Sequence, residues 1–291
     1  MIPPSFEYYA PTTAEEAIGL LQQLGPEAKI LSGGMSLIPL MRLRLAAPRY
    51  LIDINRIAGL AEIKEADGFL KIGALAREAE LERSALVRSK YPILMETAAV
   101  IGDPLVRNRA TVGGNLAHAD PANDHPATML ALAAEVVATG PTGERRIPIT
   151  SFFTGFFATA LGPDEILTEI RIPIPSPRSG GAYVKLERKV GDFATAGVAA
   201  QLTLGRDDVC DQVRIGLTNV GSMPIEAQQA EEVMRGKRME PEVVRRAAHL
   251  AAEASDPSAD LRGSVEYKRD LVRVLTIRAL NRALEQARRG A

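Results

Sequence analysis

Two pairs of adjacent glycines are the residues of this sequence best suited to hold a ligand with main-chain atoms. The first pair lies in Leu31-Ser32-Gly33-Gly34-Met35-Ser36 and the second in Thr111-Val112-Gly113-Gly114-Asn115. Glycine lets a loop take positive φ and lets a ligand approach the backbone, and successive N–H groups in such a loop form an anion-binding nest. A pyrophosphate suits that surface. In the second segment Thr111 and Asn115 add a hydroxyl and an amide able to bond sugar or phosphate oxygens. Two such loops can close on a diphosphate from both sides, although two unrelated tight turns would also explain the same residues.

Other chemistries lack their residues. No G-x-G-x-x-G follows a strand, and Gly236-Lys237 is followed by Arg238 where a P-loop needs Ser or Thr. Neither Ser36 nor Ser222 lies in G-x-S-x-G, and no H-E-x-x-H occurs. His118 and His125 have Asp120 and Asp124 between them, but the spacing matches no metal-ligand pattern, so they read as polar loop residues. A single cysteine, Cys210, excludes an internal disulfide and an iron–sulfur cluster held by this chain alone.

The elements that must position these residues follow from periodicity and punctuation. Thr13-Ala14-Glu15-Glu16 has the form of a capping box, and Ala17, Leu20, Leu21 and Leu24 follow at helical spacing up to Gly25-Pro26. The first glycine pair falls between a strand at 28–31 and a helix-like stretch at 37–45, with a second strand at 50–54. A strand at 69–72, a charged helix at 77–83 and an apolar one at 93–101 precede the second pair. A helix at 126–133 and strands at 135–139 and 166–172 come after it. Pro173, Pro175, Ser176, Pro177, Ser179, Gly180 and Gly181 form the clearest breaker cluster, and the pattern changes there to strands at 182–189, 196–204 and 213–220, then helices at 225–235, 241–254 and 267–288. The expectation is an α+β chain. It has an α/β domain over 1–176, in two parts near 1–56 and 57–176, and a domain over 177–291 with an antiparallel sheet and helices on one face.

Bulk properties narrow the partners. The 291 residues exceed one usual domain, and a net charge of −1 gives no signal for nucleic acid. No apolar run approaches the roughly 20 residues of a membrane span, and Met1-Ile2-Pro3-Pro4-Ser5 lacks the regions of a signal peptide, so the cytoplasm is the expected location.

Together with two longer stretches, the glycine segments carry a resemblance. The stretches are Asn115-Leu116-Ala117-His118-Ala119-Asp120-Pro121-Ala122-Asn123-Asp124 and Lys185-Leu186-Glu187-Arg188-Lys189-Val190-Gly191-Asp192-Phe193-Ala194. Over nearly its whole length the chain resembles the FAD-binding medium, flavoprotein subunit of molybdenum hydroxylases, the carbon monoxide dehydrogenase and xanthine dehydrogenase family, closest to the carbon monoxide dehydrogenase type. The resemblance implies an FAD-binding domain of the vanillyl-alcohol-oxidase (PCMH) type. It implies that Leu31, Ser32, Gly33, Gly34, Met35 and Ser36, with Thr111, Val112, Gly113, Gly114 and Asn115, hold the FAD diphosphate and its neighbourhood. It further implies that Ile101, Asp124, Leu167 and Lys185 contact the cofactor and that Phe193 sets an aromatic ring against the isoalloxazine. No acid–base residue and no metal ligand is implied for this chain.

The same resemblance places [2Fe-2S] clusters on a small partner subunit and a molybdenum cofactor on a large one, in a dimer of heterotrimers, with electrons leaving FAD to an external acceptor. Met35 stands where the family usually has histidine, and Phe193 where close relatives have tyrosine or tryptophan; binding that relies on backbone N–H groups and on a stacking face survives both changes. Two other readings stay open: a free-standing FAD oxidase or reductase, and a flavin-free assembly protein of the same fold. The basic stretch 268–289 could face an acidic partner, although its apolar Val272, Leu275, Ala279 and Ala283 read more simply as packing on the chain's own sheet.

Overall fold

The computed structural model describes residues 2–289. Met1, which opens the stretch read above for a signal peptide, and Gly290 and Ala291, which close the expected second domain, lie outside the described residues.

The first strands, β1 (Glu7–Tyr9), β2 (Ala28–Leu31) and β3 (Tyr50–Asp53), form a parallel sheet in the order β1-β3-β2. Helix α1 (Ala14–Leu24) starts where the Thr13 hydroxyl accepts from the Glu16 N–H at 3.2 Å, and it ends at Gly25, whose φ is 62°. Its apolar stripe of Ala17, Ile18 and Leu21 packs with Ala28 and Ile52. Helix α2 (Leu37–Arg42) follows the first glycine pair and stops short of the expected Leu45, because Arg44 turns to φ 61°.

The middle of the chain builds β4 (Ile63–Ala66), β5 (Phe69–Gly73), then α3 (Glu78–Arg83), α4 (Ala85–Lys90), α5 (Pro92–Ala99), α6 (Pro104–Arg107), α7 (Val112–His118) and α8 (His125–Ala131). It returns through β6 (Glu135–Gly140), β7 (Gly143–Pro148), α9 (Ile149–Phe152), the β8–β9 hairpin (Phe153–Gly155 and Ala158–Thr159) and β10 (Ile166–Pro173). The five-stranded sheet runs β4-β5-β10-β6-β7 with every pairing antiparallel. Leu70 and Ile72 of β5, Val136 and Ala138 of β6, and Ile170 and Ile172 of β10 form one core with Leu81, Leu94, Leu116 and Met129 of the helices.

After a short crossing segment come β11 (Ser179–Leu186), β12 (Ala196–Leu204), β13 (Cys210–Thr218) and β14 (Ile225–Glu226), a consecutive antiparallel sheet. Helices α10 (Gln228–Glu232), α11 (Pro241–Ala254) and α12 (Val265–Arg289) follow. The helix expected from Ile225 begins later, because Ile225 and Glu226 pair with β13 and Glu226 holds Arg214 at 2.6 Å.

This sheet is buried on both faces. Val198, Ala200 and Leu202 point to the helical side, where Val272, Leu275, Ala279 and Ala283 of α12 are all buried. Ala199 and Tyr183 point the other way and join the core of α5 and α8. Gly216 permits that approach, since a Cβ there would run into the Ala127 carbonyl of α8. Strand β11 is thereby held beside α5 and the start of α8.

Candidate functional site

The first glycine segment leaves β2 and turns at once. Gly34 adopts φ +76°, a conformation that L side chains rarely take, and the following Ile38 N–H bonds the Gly34 carbonyl at 3.0 Å. The main-chain N–H groups of Gly33, Gly34, Met35 and Ser36 donate to no acceptor among the described residues. Such a run of free donors is a nest for an anion.

The second segment differs from the expected loop. Thr111 is the cap of α7, and Val112, Gly113, Gly114 and Asn115 form its first turn. The reason is local: the Thr111 hydroxyl accepts from the Gly114 N–H at 3.1 Å, and the Val112 and Gly113 N–H groups bond the Ala76 and Ala74 carbonyls at 3.0 and 3.1 Å. Asn115 N–H returns to the Thr111 carbonyl at 2.9 Å. The backbone donors of residues 112–115 are therefore all occupied. What it offers instead is a side chain: Asn115 Oδ1 is buried and accepts no hydrogen bond among the described residues.

The two segments touch. Thr111 Oγ1 donates to Ser32 Oγ at 3.2 Å. A Cβ on Gly33 would run into the Arg109 carbonyl, and one on Gly114 would lie 2.8 Å from Ser32 Oγ and 2.6 Å from Thr111 Oγ1. Gly113 faces the scaffold, where a Cβ would come within 2.6–2.7 Å of Ala74. Asn55, just past β3, donates to the Ser32 carbonyl at 2.8 Å, and its amide oxygen accepts from Arg77. Neither Asn55 nor Arg77 was foreseen from sequence.

A second group of expected residues meets nearby. Lys185 Nζ, on β11, lies 3.2 Å from Asp124 Oδ2 at the start of α8 and donates to the carbonyls of Val100 and Asp192 at 2.9 and 3.0 Å. Tyr183, absent from the sequence reading, donates to the other Asp124 oxygen at 2.5 Å. Burial pushes the Asp124 carboxyl up, against the pull of the Lys185 ammonium and the Tyr183 hydroxyl; burial and the facing carboxylate push Tyr183 far above the phenol range. Through the Val100 and Asp192 carbonyls, Lys185 links Ile101, at the end of the α5 segment, to Phe193 on the β11–β12 connection. Ile101 is buried, whereas Phe193 is 48% exposed.

Leu167 stands apart from that group. It lies in the core of β10 at 5% exposure, and its neighbour Thr168 accepts the Ala74 N–H, which ties this strand to the scaffold beneath Gly113. The histidines also depart from the polar-loop reading. His125 is fully buried, with Nε2 2.7 Å from the buried Glu78 carboxylate, because it opens α8 and turns inward against α3. His118 packs on Phe157, ring centroids 5.0 Å apart. Among the described residues no three His, Cys, Asp or Glu side chains group closely enough to hold a metal ion.

These features fit a dinucleotide. Free N–H groups in a row suit a diphosphate, a buried amide oxygen suits a hydroxyl or amide donor, and the glycines let the two segments approach closely enough to form one surface. Residues 4–175 match the family model described as the FAD binding domain in molybdopterin dehydrogenase, and residues 181–283 match the CO dehydrogenase flavoprotein C-terminal domain. The chain is 44% identical to the carbon monoxide dehydrogenase medium chain of Hydrogenophaga pseudoflava over 97% of its own length and 98% of the relative. It is 41% identical to that of Afipia carboxidovorans over 99% and 100%. The solved carbon monoxide dehydrogenase of H. pseudoflava that lacks the Mo-pyranopterin moiety superposes with a TM-score of 0.96 at 45% identity, covering 98% of this chain and 99% of that one. Quinoline 2-oxidoreductase from Pseudomonas putida 86 superposes at 0.92 with 33% identity over 99% of both. Fold, glycine segments and full-length likeness agree: the chain belongs to the FAD-binding medium-subunit family of the molybdenum hydroxylases, the flavoprotein oxidoreductase components of the carbon monoxide and xanthine dehydrogenase type.

Proposed function

We propose that this chain is the electron-exit subunit of a cytoplasmic molybdenum hydroxylase. In this reading electrons arrive from [2Fe-2S] clusters on a small partner subunit, having left substrate at a molybdenum cofactor on a large one, and pass through FAD to an external acceptor. The complex is a dimer of heterotrimers. FAD, when bound, accepts electrons singly or in pairs, so the protein has to bind, orient and shield it rather than supply acid–base groups.

The observation that carries the reading is the row of free N–H groups at Gly33–Ser36 in a chain that matches medium chains from end to end. Those groups hold the diphosphate, Asn115 Oδ1 accepts from a hydroxyl of the cofactor, the Asp124–Lys185 pair anchors the β11–β12 connection, and Phe193 offers its ring to the isoalloxazine. Leu167 acts from beneath, by supporting Ala74 and Gly113. We assign the cofactor domain to 1–176, in parts 1–56 and 57–176, and the remainder to 177–291.

Division of labour with partners has two supports. Cys210, the one cysteine, is buried and its thiol is pushed up to about 11 by that burial, so it is a poor ligand for a cluster. Relatives matched over nearly their full length are named for very different substrates: carbon monoxide, 6-hydroxypseudooxynicotine, glyceraldehyde and caffeine. A subunit that does not select substrate would vary in this way. The test is to purify the native complex and record its subunits, metal content and absorption spectrum. The expected result is a flavin spectrum with iron and molybdenum on two further chains; a colourless chain that cannot be reconstituted with FAD, or one that runs alone and turns over a substrate, overturns the reading.

A further inference from the structure

The contact between the two glycine segments is reinforced from outside by Arg77 and Asn55. The main chain of Arg77 is already fixed to the second segment: Arg77 bridges Thr111, the Val112 N–H bonds the Ala76 carbonyl at 3.0 Å and the Glu78 N–H bonds the Ala110 carbonyl at 3.1 Å. From there its guanidinium forks. Nη1 donates to the Arg109 carbonyl, the atom a Cβ on Gly33 would strike, and Nη2 donates to Asn55 Oδ1 at 2.5 Å.

Asn55, just past β3, is tied to the first segment. Its Nδ2 donates to the Ser32 carbonyl at 2.8 Å and to Asp53 Oδ1 at 2.5 Å, and its own N–H bonds that carboxylate at 2.9 Å. Asp53 in turn accepts from the Tyr8 hydroxyl at 2.7 Å. A continuous polar chain thus runs from β1 through Asp53 and Asn55 to Arg77 and the second segment.

We propose that Arg77 and Asn55 are positioning residues that lock the two glycine segments into one preassembled cradle and thereby set its affinity for the dinucleotide cofactor. The proposal rests on the reading of that cradle as the FAD site. Neither residue has to touch the cofactor. The planar fork is essential, because only a guanidinium reaches the Arg109 carbonyl and Asn55 Oδ1 together; an ammonium keeps the charge and loses the span.

The test compares wild type, Arg77→Lys, Asn55→Ala and the double variant in the full chain. FAD affinity is read from flavin fluorescence, and amide hydrogen exchange at Val112–Asn115 is read in cofactor-free protein. Each single variant is expected to weaken FAD binding about tenfold or more, the double variant no more than about twofold beyond the weaker single, as for residues acting through one another. Asn55→Ala, made on the first side, is expected to speed exchange on the second side about tenfold with the thermal midpoint of the fold retained. Lysine at position 77 binding FAD within about twofold of wild type overturns the brace in favour of plain charge, and multiplying effects in the double variant overturn coupling. If Arg77→Lys does not fold, Asn55→Ala still decides: unchanged exchange at Val112–Asn115 sinks the proposal. A wild-type chain that binds no FAD counts against the functional reading, while the exchange data judge the brace separately.

Discussion

Gly33-Gly34 and Gly113-Gly114 are spelled alike, yet their main chains behave in opposite ways. The N–H groups of residues 33–36 have no acceptor among the described residues, whereas those of residues 112–115 all bond to protein, at Ala76, Ala74 and Thr111. One glycine of each pair faces the other segment, Gly33 toward Arg109 and Gly114 toward Ser32. The remaining two diverge: Gly34 supplies a positive φ, and Gly113 lets α7 press on Ala74. The difference teaches that a glycine pair has to be read from where its N–H groups go, since the same dipeptide serves as a donor row in one place and as a close-packing surface in the other.

The largest effect that could break this contrast concerns Gly113. Because a Cβ there meets backbone and side-chain atoms of Ala74 within 2.6–2.7 Å, Gly113→Val is expected to destabilise the cofactor-free protein by about 3 kcal/mol, an overpacking cost against atoms that cannot swing away. Urea unfolding of cofactor-free protein measures it. A variant with wild-type stability that merely fails to keep flavin would make Gly113 a ligand contact and erase the distinction. Asn115→Ala comes next and has opposite signs in two measurements. Removing a buried acceptor that has no donor leaves the cofactor-free protein as stable or slightly more so, while FAD affinity falls about tenfold, or ~1.4 kcal/mol. Loss of stability without loss of affinity would mean that Oδ1 is satisfied inside the protein.

How much of this was legible from the sequence depended on the range of the forces involved. Helix α1 and helix α11 were readable because caps, proline and an apolar stripe act within a few residues. Strands β4 and β7 were not, because they are sheet edges that carry Lys64, Glu65, Glu144, Arg145 and Arg146, charges that hide a strand pattern. The first turn of α7 was hidden by its own glycines, whose poor helix propensity is overridden by the Thr111 cap and by contacts with Ala74 and Ala76. The glycine segments were legible from their residue types as an anion site, while their assignment to FAD, and Asp124, Lys185 and Phe193, came through resemblance. Asn55, Arg77 and Tyr183 were missed, since their partners are 22 to 59 residues away and no periodicity marks such contacts.

Met35→His provides the smallest expected effect and the sharpest check on the donor row. Met35 is 37% exposed in the first segment, at the position where the resemblance implies a histidine. If the segment binds through the N–H groups of Gly33, Gly34, Met35 and Ser36, the identity of that side chain matters little, and FAD affinity should stay within about twofold of wild type. The imidazole is neutral near pH 8, so the titration is made there, away from any added charge on the diphosphate. A gain of tenfold or more at that pH would show that the first segment also works through a side chain. The contrast between a donor row and a packing surface would then narrow to Gly33, Gly34 and Ser36 alone.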